Sequence, residues 1–135
     1  MNKYANIAYF LLRVVAGLLM AQHGMQKMLG WFGGMPDIPS PPPAFSQIWF
    51  GGVIELTGGL LVMLGLFTKC AAFILSGTMA VAYFQFHAPG GTWPIENHGE
   101  PAVMYCFVFL FIAAHGSGIL CLDGLIHGKQ AKRAP

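Results

Sequence analysis

The sequence predicts an all-α fold, an integral membrane four-helix bundle with both termini in the cytoplasm. Three observations carry this expectation. Of the 135 residues, 56% are apolar and only 9% are charged, against about 25% charged in a typical soluble domain. Mean hydropathy is positive, at +0.61. Stretches close to the ~20 apolar residues needed to cross a bilayer recur along the chain, separated by short polar or Gly/Pro-rich breaks. A soluble fold of this composition would leave large apolar patches in water, which is rare. A bilayer removes the conflict.

Residues 1–135 therefore read as one membrane domain with no soluble catalytic unit. The formal net charge of +2, with no basic stripe interleaved with aromatics, excludes a nucleic-acid partner. Cys70, Cys106 and Cys121 are odd in number, form no CxxC pair and lack zinc-finger spacing. They read as small buried apolar residues, and no metal site is expected.

The first spanning helix is expected over residues 5–29. Its apolar run is too long for a signal peptide, Arg13 lies inside it and no small-residue cleavage site follows, so it reads as a retained helix. Gly30, Gly33, Gly34 and Pro36 end it. Asp37 to Ser46, with Pro39 and Pro41 to Pro43, is an irregular or polyproline-like loop. The second helix is expected over 48–67. Its glycines, among them Gly51, Gly52, Gly58 and Gly59, read as close helix–helix contact. The third is expected over 70–87, after a tight hairpin at Thr68 and Lys69. Ala88 to Glu100 is a loop. The fourth is expected over 101–122, opening on Pro101, which is tolerated in a first helical turn.

Lysines and arginines set the orientation. An even number of spans puts Lys3, Lys69, Lys129, Lys132 and Arg133 on one side and leaves Lys27 on the other. The positive-inside rule assigns the first side to the cytoplasm. Trp31, Trp49 and Trp93 then fall at the outer interface, where an aromatic belt belongs.

The informative residues are the polar ones inside the spans: Arg13, His23, Lys27, Glu55 and His115. A charge at the bilayer centre costs ~2.5–3.5 kcal/mol on the insertion scale, so such residues face the bundle interior and pair. His23 and Lys27 are four residues apart and share a helix face. With Glu55, His87, Asn97, His98, Glu100 and Tyr105 they form an outer polar layer to which all four helices contribute. Arg13, His115 and Asp123 form an inner one. Each has a structural alternative. Glu55 pairs with Lys27 or a protonated His23 simply to hold the bundle, Arg13 snorkels to the headgroups with Asp123 neutralising it, and His115 is a hydrogen-bonded core residue. Convergence of four helices on the outer layer favours a functional reading there, because stability alone is served by apolar residues.

Lys27, His23 and His87 can donate hydrogen bonds to a quinone carbonyl or a small anion, and Glu55 can move a proton. Trp31, Phe32, Trp49, Phe50 and Phe84 can sandwich a flat ring. The chain has no Ser–His–Asp order, no HExxH and no phosphate loop. His23 with His87 is the better-matched pair for haem. Met20, Met25 and Met28 suit Cu(I), although methionine is a common core filler.

These residues carry a resemblance. Leu11-Leu12-Arg13 through Gly17, His23-Gly24-Met25-Gln26-Lys27, Gly30-Trp31-Phe32-Gly33-Gly34, Glu55-Leu56-Thr57-Gly58-Gly59, Leu64-Gly65-Leu66-Phe67-Thr68, Asn97-His98-Gly99-Glu100-Pro101-Ala102, Tyr105-Cys106 and Leu122-Asp123, in this order, resemble the DoxX family of small four-helix bacterial membrane proteins. The resemblance implies a multi-pass protein of the bacterial inner membrane that serves redox systems. The family's namesake is linked to thiosulfate:quinone oxidoreductase, and relatives to oxidative-stress complexes with soluble partners. Its polar positions match Arg13, His23, Lys27, Glu55, Asn97, Glu100 and Asp123 here. The long proline-rich first loop reads as a lid or docking segment.

The expected function is a membrane subunit of a redox system, an oxidoreductase component, binding a quinone-like molecule in the outer half of the bundle. His23, Lys27 and Glu55 are the expected catalytic residues. Ligand contacts are expected from these three with Trp31, Trp49, His87, Asn97 and Glu100. Quinone is the cofactor expected first, then haem, with copper last. Two alternatives stand beside this. One is a non-catalytic anchor recruiting a soluble oxidoreductase through the outer loops or the Lys129–Arg133 tail. The other is a small-solute carrier, which would need a homo-oligomer. The lipid bilayer is a partner in every case.

Overall fold

The computed structural model describes residues 2–131, with side chains through residue 126. Its elements are α1 (Lys3–Leu29), α2 (Gln47–Leu64), α3 (Thr68–Ala82), α4 (Glu100–His115) and a short α5 (Leu122–Ala131). A π-helical turn, Tyr83–His87, extends α3. There is no β-strand among the described residues.

The helices start and stop where local chemistry dictates. Asn2 caps α1 by accepting the Ala5 N–H at 2.9 Å, and Ser46 caps α2 through the Trp49 N–H at 3.2 Å. Gly65, left-handed at φ 71°, closes α2, and the Gly65 and Leu66 N–H groups return to the Val62 and Leu61 carbonyls. The second helix accordingly ends at Leu64 rather than at 67. The larger departure is the fourth helix, which stops at His115 instead of running to 122. Gly116 (φ 92°), Gly118 (φ 67°) and Leu120 (φ 51°) all adopt positive φ, which no continuous α-helix allows. The chain turns there and begins α5.

α1 pairs with α2 and α3 with α4 along their lengths; α2 and α3 share a smaller seam, and α1 and α4 barely touch. The α1–α2 seam is built from small residues. A Cβ added at Gly17 would lie 2.5 Å from the Met63 backbone nitrogen, and one at Gly59 would collide with the Ala21 backbone. Backbones this close gain dispersion contact that lipid cannot match. The interior holds Tyr9, Met20, Val62, Leu75, Phe109 and Ile112.

The outward faces are apolar: Leu11, Val15, Phe73, Ile74, Phe107 and Phe111 are all exposed. Three helices are long and apolar enough to cross a membrane, counting α3 with its extension to Gly90; α4 is apolar but has 16 residues, a rise of ~24 Å against a ~30 Å hydrocarbon core. The chain is a membrane protein.

Candidate functional site

The polar residues gather at the two ends of the bundle, and the two groups are built differently. At the end formed by the C-terminus of α1 and the N-terminus of α2, Lys27 Nζ donates to Glu55 Oε1 at 2.6 Å. Glu55 is 2% exposed, and its Oε2 has no hydrogen-bond partner. This pair opens onto a cleft of about 600 Å³ between α2 and α3, whose wall also includes Phe50, Gly51, Gly77, Phe86 and His87. The volume is in the range of small-molecule sites.

His87 reaches this cleft because the chain winds as a π-helix over Tyr83–His87. The wider turn shifts the angular phase of the residues that follow, and π-turns are frequent at functional sites. Its Nδ1 lies 3.2 Å from the Asn97 carbonyl oxygen. Asn97 is buried, and its side chain fastens the loop by donating to the Gly91 carbonyl at 3.0 Å and accepting the Gly99 N–H at 2.9 Å. Asn97 is thus a brace behind His87, through which the 88–100 loop positions the imidazole.

Lys27, Glu55 and His87 are therefore brought together, and the other expected site residues are not. His23 is exposed on the α4 side of α1, with its ring 6.2 Å from that of Tyr105. It lines a separate hollow of about 230 Å³ with Gln22, Gln26 and Phe32. His23 and His87 open on different cavities, so the facing pair expected for haem is not formed. Trp31 is 55% exposed and packs edge-on against Phe32. Trp49 packs with Phe45 and Phe50; of the aromatics expected to hold a ring, only Phe50 lines the cleft. Phe84 is 70% exposed, and Glu100 sits exposed at the start of α4. Met20 is fully buried in the core, and Met28 packs its sulfur against Gly52 of α2, so these methionines fill space. Residues that the sequence did not single out are Gln47, Thr78 and Phe86 in the cleft wall. Gln47 Nε2 donates to Gln85 Oε1 and so bridges α2 to the π-turn.

At the opposite end Arg13 is fully buried. It does not snorkel. Its Nη1 donates to the Val62 and Met63 carbonyls at 3.0 and 3.1 Å, and Nη2 to the Ile119 and Leu120 carbonyls at 3.4 and 2.8 Å. The first two lie at the C-terminus of α2, where a helix dipole favours a cation; the Val62 carbonyl also accepts the Gly65 N–H at 3.1 Å. Asp123 binds elsewhere than to Arg13, accepting the Phe67 and Thr68 N–H groups at 2.7 and 3.1 Å and the Thr68 and Ser117 hydroxyls at 3.0 and 2.9 Å. It caps α3 from α5. Burial pushes its carboxyl pKa up, but those four hydrogen bonds outweigh burial and hold it below 3.8. The Tyr9 hydroxyl donates to the Gly116 carbonyl, and the His115 ring packs against that of Tyr9, centroids 4.0 Å apart and planes tilted by 46°. His115 is exposed rather than a core residue.

A family model described as DoxX matches residues 8–88. The chain belongs to the DoxX family. An uncharacterized protein of Haemophilus influenzae is 38% identical, covering 96% of this chain and 98% of its own length. A Bacillus subtilis relative named "Putative oxidoreductase CatD" is 28% identical over 96% of both chains. A second uncharacterized H. influenzae protein is 27% identical over 90% of this chain and 85% of its own. No solved structure matches. The DoxX match spans the whole cleft wall, Lys27 to His87, while Asn97, Arg13's partners at 119–120 and Asp123 lie beyond it. Of the basic tail weighed as a docking segment, Lys132 and Arg133 lie outside the described residues.

Proposed function

We propose that this DoxX protein is the membrane subunit of a redox system and binds a quinone-like ring in the α2–α3 cleft. One observation carries the reading. A largely apolar cleft of about 600 Å³ holds an ion pair, Lys27–Glu55, and an imidazole, His87, on its walls. An apolar chamber with a few convergent polar groups is the usual form of a small-molecule site, and intramembrane charges mark such sites. Phe50 and Phe86 offer ring faces to a flat ligand. The name of the B. subtilis relative supports redox chemistry. Lys27 and Glu55 are the central pair, with Glu55 taking or returning a proton. His23, on its separate hollow, is peripheral. A soluble redox partner docked at that end exchanges the electrons. The distribution of lysine and arginine supports an inner-membrane protein with cytoplasmic termini and the cleft in the outer half of the bilayer.

The test is saturable binding. Purified protein in mild detergent is titrated with a short-chain quinone and followed by tryptophan fluorescence, with mass spectrometry of co-purifying small molecules. Saturation that is lost in Glu55→Ala supports the reading; a linear, unsaturable response from the wild-type protein overturns it.

A further inference from the structure

A ligand in the α2–α3 cleft meets both donors and acceptors, some of them already committed. Lys27 Nζ donates to Glu55 Oε1 at 2.6 Å, and the Thr78 hydroxyl donates to the Ile74 carbonyl at 2.9 Å. His87 Nδ1 lies 3.2 Å from the Asn97 carbonyl oxygen. That oxygen only accepts, so Nδ1 carries the ring proton and Nε2 of the neutral imidazole is an acceptor. On the α2 wall, Glu55 is 2% exposed with Oε2 unpartnered. A carboxylate beside an ammonium is an acceptor only. Two acceptors are thus left unmatched, Glu55 Oε2 on α2 and His87 Nε2 on the π-turn, beside the remaining N–H donors of Lys27 and Gln47.

An oxidised quinone brings two further acceptors and leaves both of these unmatched, which is costly in a dry site. A hydroquinone brings two O–H donors. The remaining protons of Lys27 and Gln47 do not discriminate, because a hydroxyl oxygen accepts from an N–H donor as a carbonyl does.

A second observation concerns access. Gly51 and Gly77 both line the cleft, and a Cβ added at either would meet nothing within 4 Å; neither has a positive φ. Packing and backbone conformation thus require glycine at neither position, although glycine weakens a helix interior relative to alanine. What the two share is the cleft, which their missing side chains widen toward the lipid-facing side of α2 and α3.

Resting on the quinone reading above, we infer that the cleft selects the reduced, dihydroxy form of a lipid-soluble ring. One hydroxyl donates to Glu55 Oε2 and the other to His87 Nε2, and the ring arrives sideways from the bilayer past Gly51 and Gly77.

The experiment is equilibrium binding to the purified full chain under argon, comparing tetramethylhydroquinone with tetramethylquinone. The wild-type protein is expected to bind the hydroquinone at least tenfold tighter. Glu55→Gln, whose amide can turn a donor toward a carbonyl, is expected to cut that preference below threefold. Gly51→Leu with Gly77→Leu is expected to weaken both forms alike, at unchanged melting temperature. Equal affinities, or a tighter quinone, overturn the inference and leave the quinone reading standing. Binding of neither form overturns both. Should Glu55→Gln fail to fold, His87→Leu carries the same test, and a preference that survives it overturns the inference. Full affinity in the double leucine variant overturns the lateral route.

Discussion

The two ends of this bundle handle intramembrane charge in opposite ways. At one end Arg13 is sealed, its two Nη atoms spread over four main-chain carbonyls of α2 and of residues 119–120, with Nε buried and without a partner. At the other, Lys27 and Glu55 answer each other side chain to side chain and keep an unpartnered oxygen beside a cleft. A charge whose bonds end on backbone is bound to one conformation of that backbone and serves the fold. A charge with capacity left over, next to open volume, serves a ligand. The difference separates a structural residue from a functional one more sharply than the cost of putting either in a membrane, which is similar for both.

The comparison is most severely tested at Arg13. Arg13→Met takes a donor away from four carbonyls, of which that of Val62 keeps the Gly65 N–H, at about 1–3 kcal/mol for each that stays unsatisfied. A loss of at least ~3 kcal/mol, or about 10 °C in melting temperature, is expected in detergent, with ligand affinity per folded molecule unchanged. A variant that melts normally but loses binding would reverse the assignment of the two ends. Glu55→Ala probes the other end. It leaves the Lys27 ammonium unpaired, but that side chain is 21% exposed and can relax, so the expected stability loss is about 1–2 kcal/mol. Ligand affinity is expected to fall at least tenfold, about 1.4 kcal/mol.

Asp123 sharpens the sealed end through pH. Its folded pKa lies below the 3.8 expected for a free side chain, so its contribution is fully present above that value and disappears as pH falls from there through the folded pKa. Acid unfolding curves of the wild-type protein and Asp123→Asn are expected to differ by about 1 kcal/mol near neutrality, the usual worth of a helix cap, and to converge only as pH falls below 3.8 and through the folded pKa. A constant gap at all pH values would remove the capping carboxylate from the account. The smallest effect is expected at Gly77→Ala, which adds a methyl group where nothing stands within 4 Å and should leave stability unchanged or raise it by up to ~1 kcal/mol. The same change at Gly59, against the Ala21 backbone, is expected to be strongly destabilising.

Much of this was legible in the sequence, and the rest failed for identifiable reasons. Hydropathy and glycine placement predict the helices, and the positions of Lys27 and Glu55 predict their meeting. The i, i+4 spacing of His23 and Lys27 misleads, because α1 runs between α2 and the neighbourhood of α4. A modest angular offset is enough to send Lys27 to Glu55 and His23 toward Tyr105. His87 depends on a π-turn that no residue pattern announces. The sequence groups Arg13 and His115 in one inner layer with Asp123 below them, but all the partners of Arg13 and half of those of Asp123 are backbone groups laid bare around the breaks at Gly65 and Gly116. Those become visible only once the chain has been turned in space.

The sealing of Arg13 has a consequence for how the protein is made. Two of its four carbonyls belong to α2, fifty residues on at most; the other two belong to residues 119 and 120. During synthesis the guanidinium is half satisfied once the first hairpin closes and waits for the remainder until residues 119 and 120 have been made. A nascent chain stopped short of residue 119 carries a half-answered cation in the bilayer, so Arg13 doubles as a chemical record of whether translation has passed residues 119 and 120.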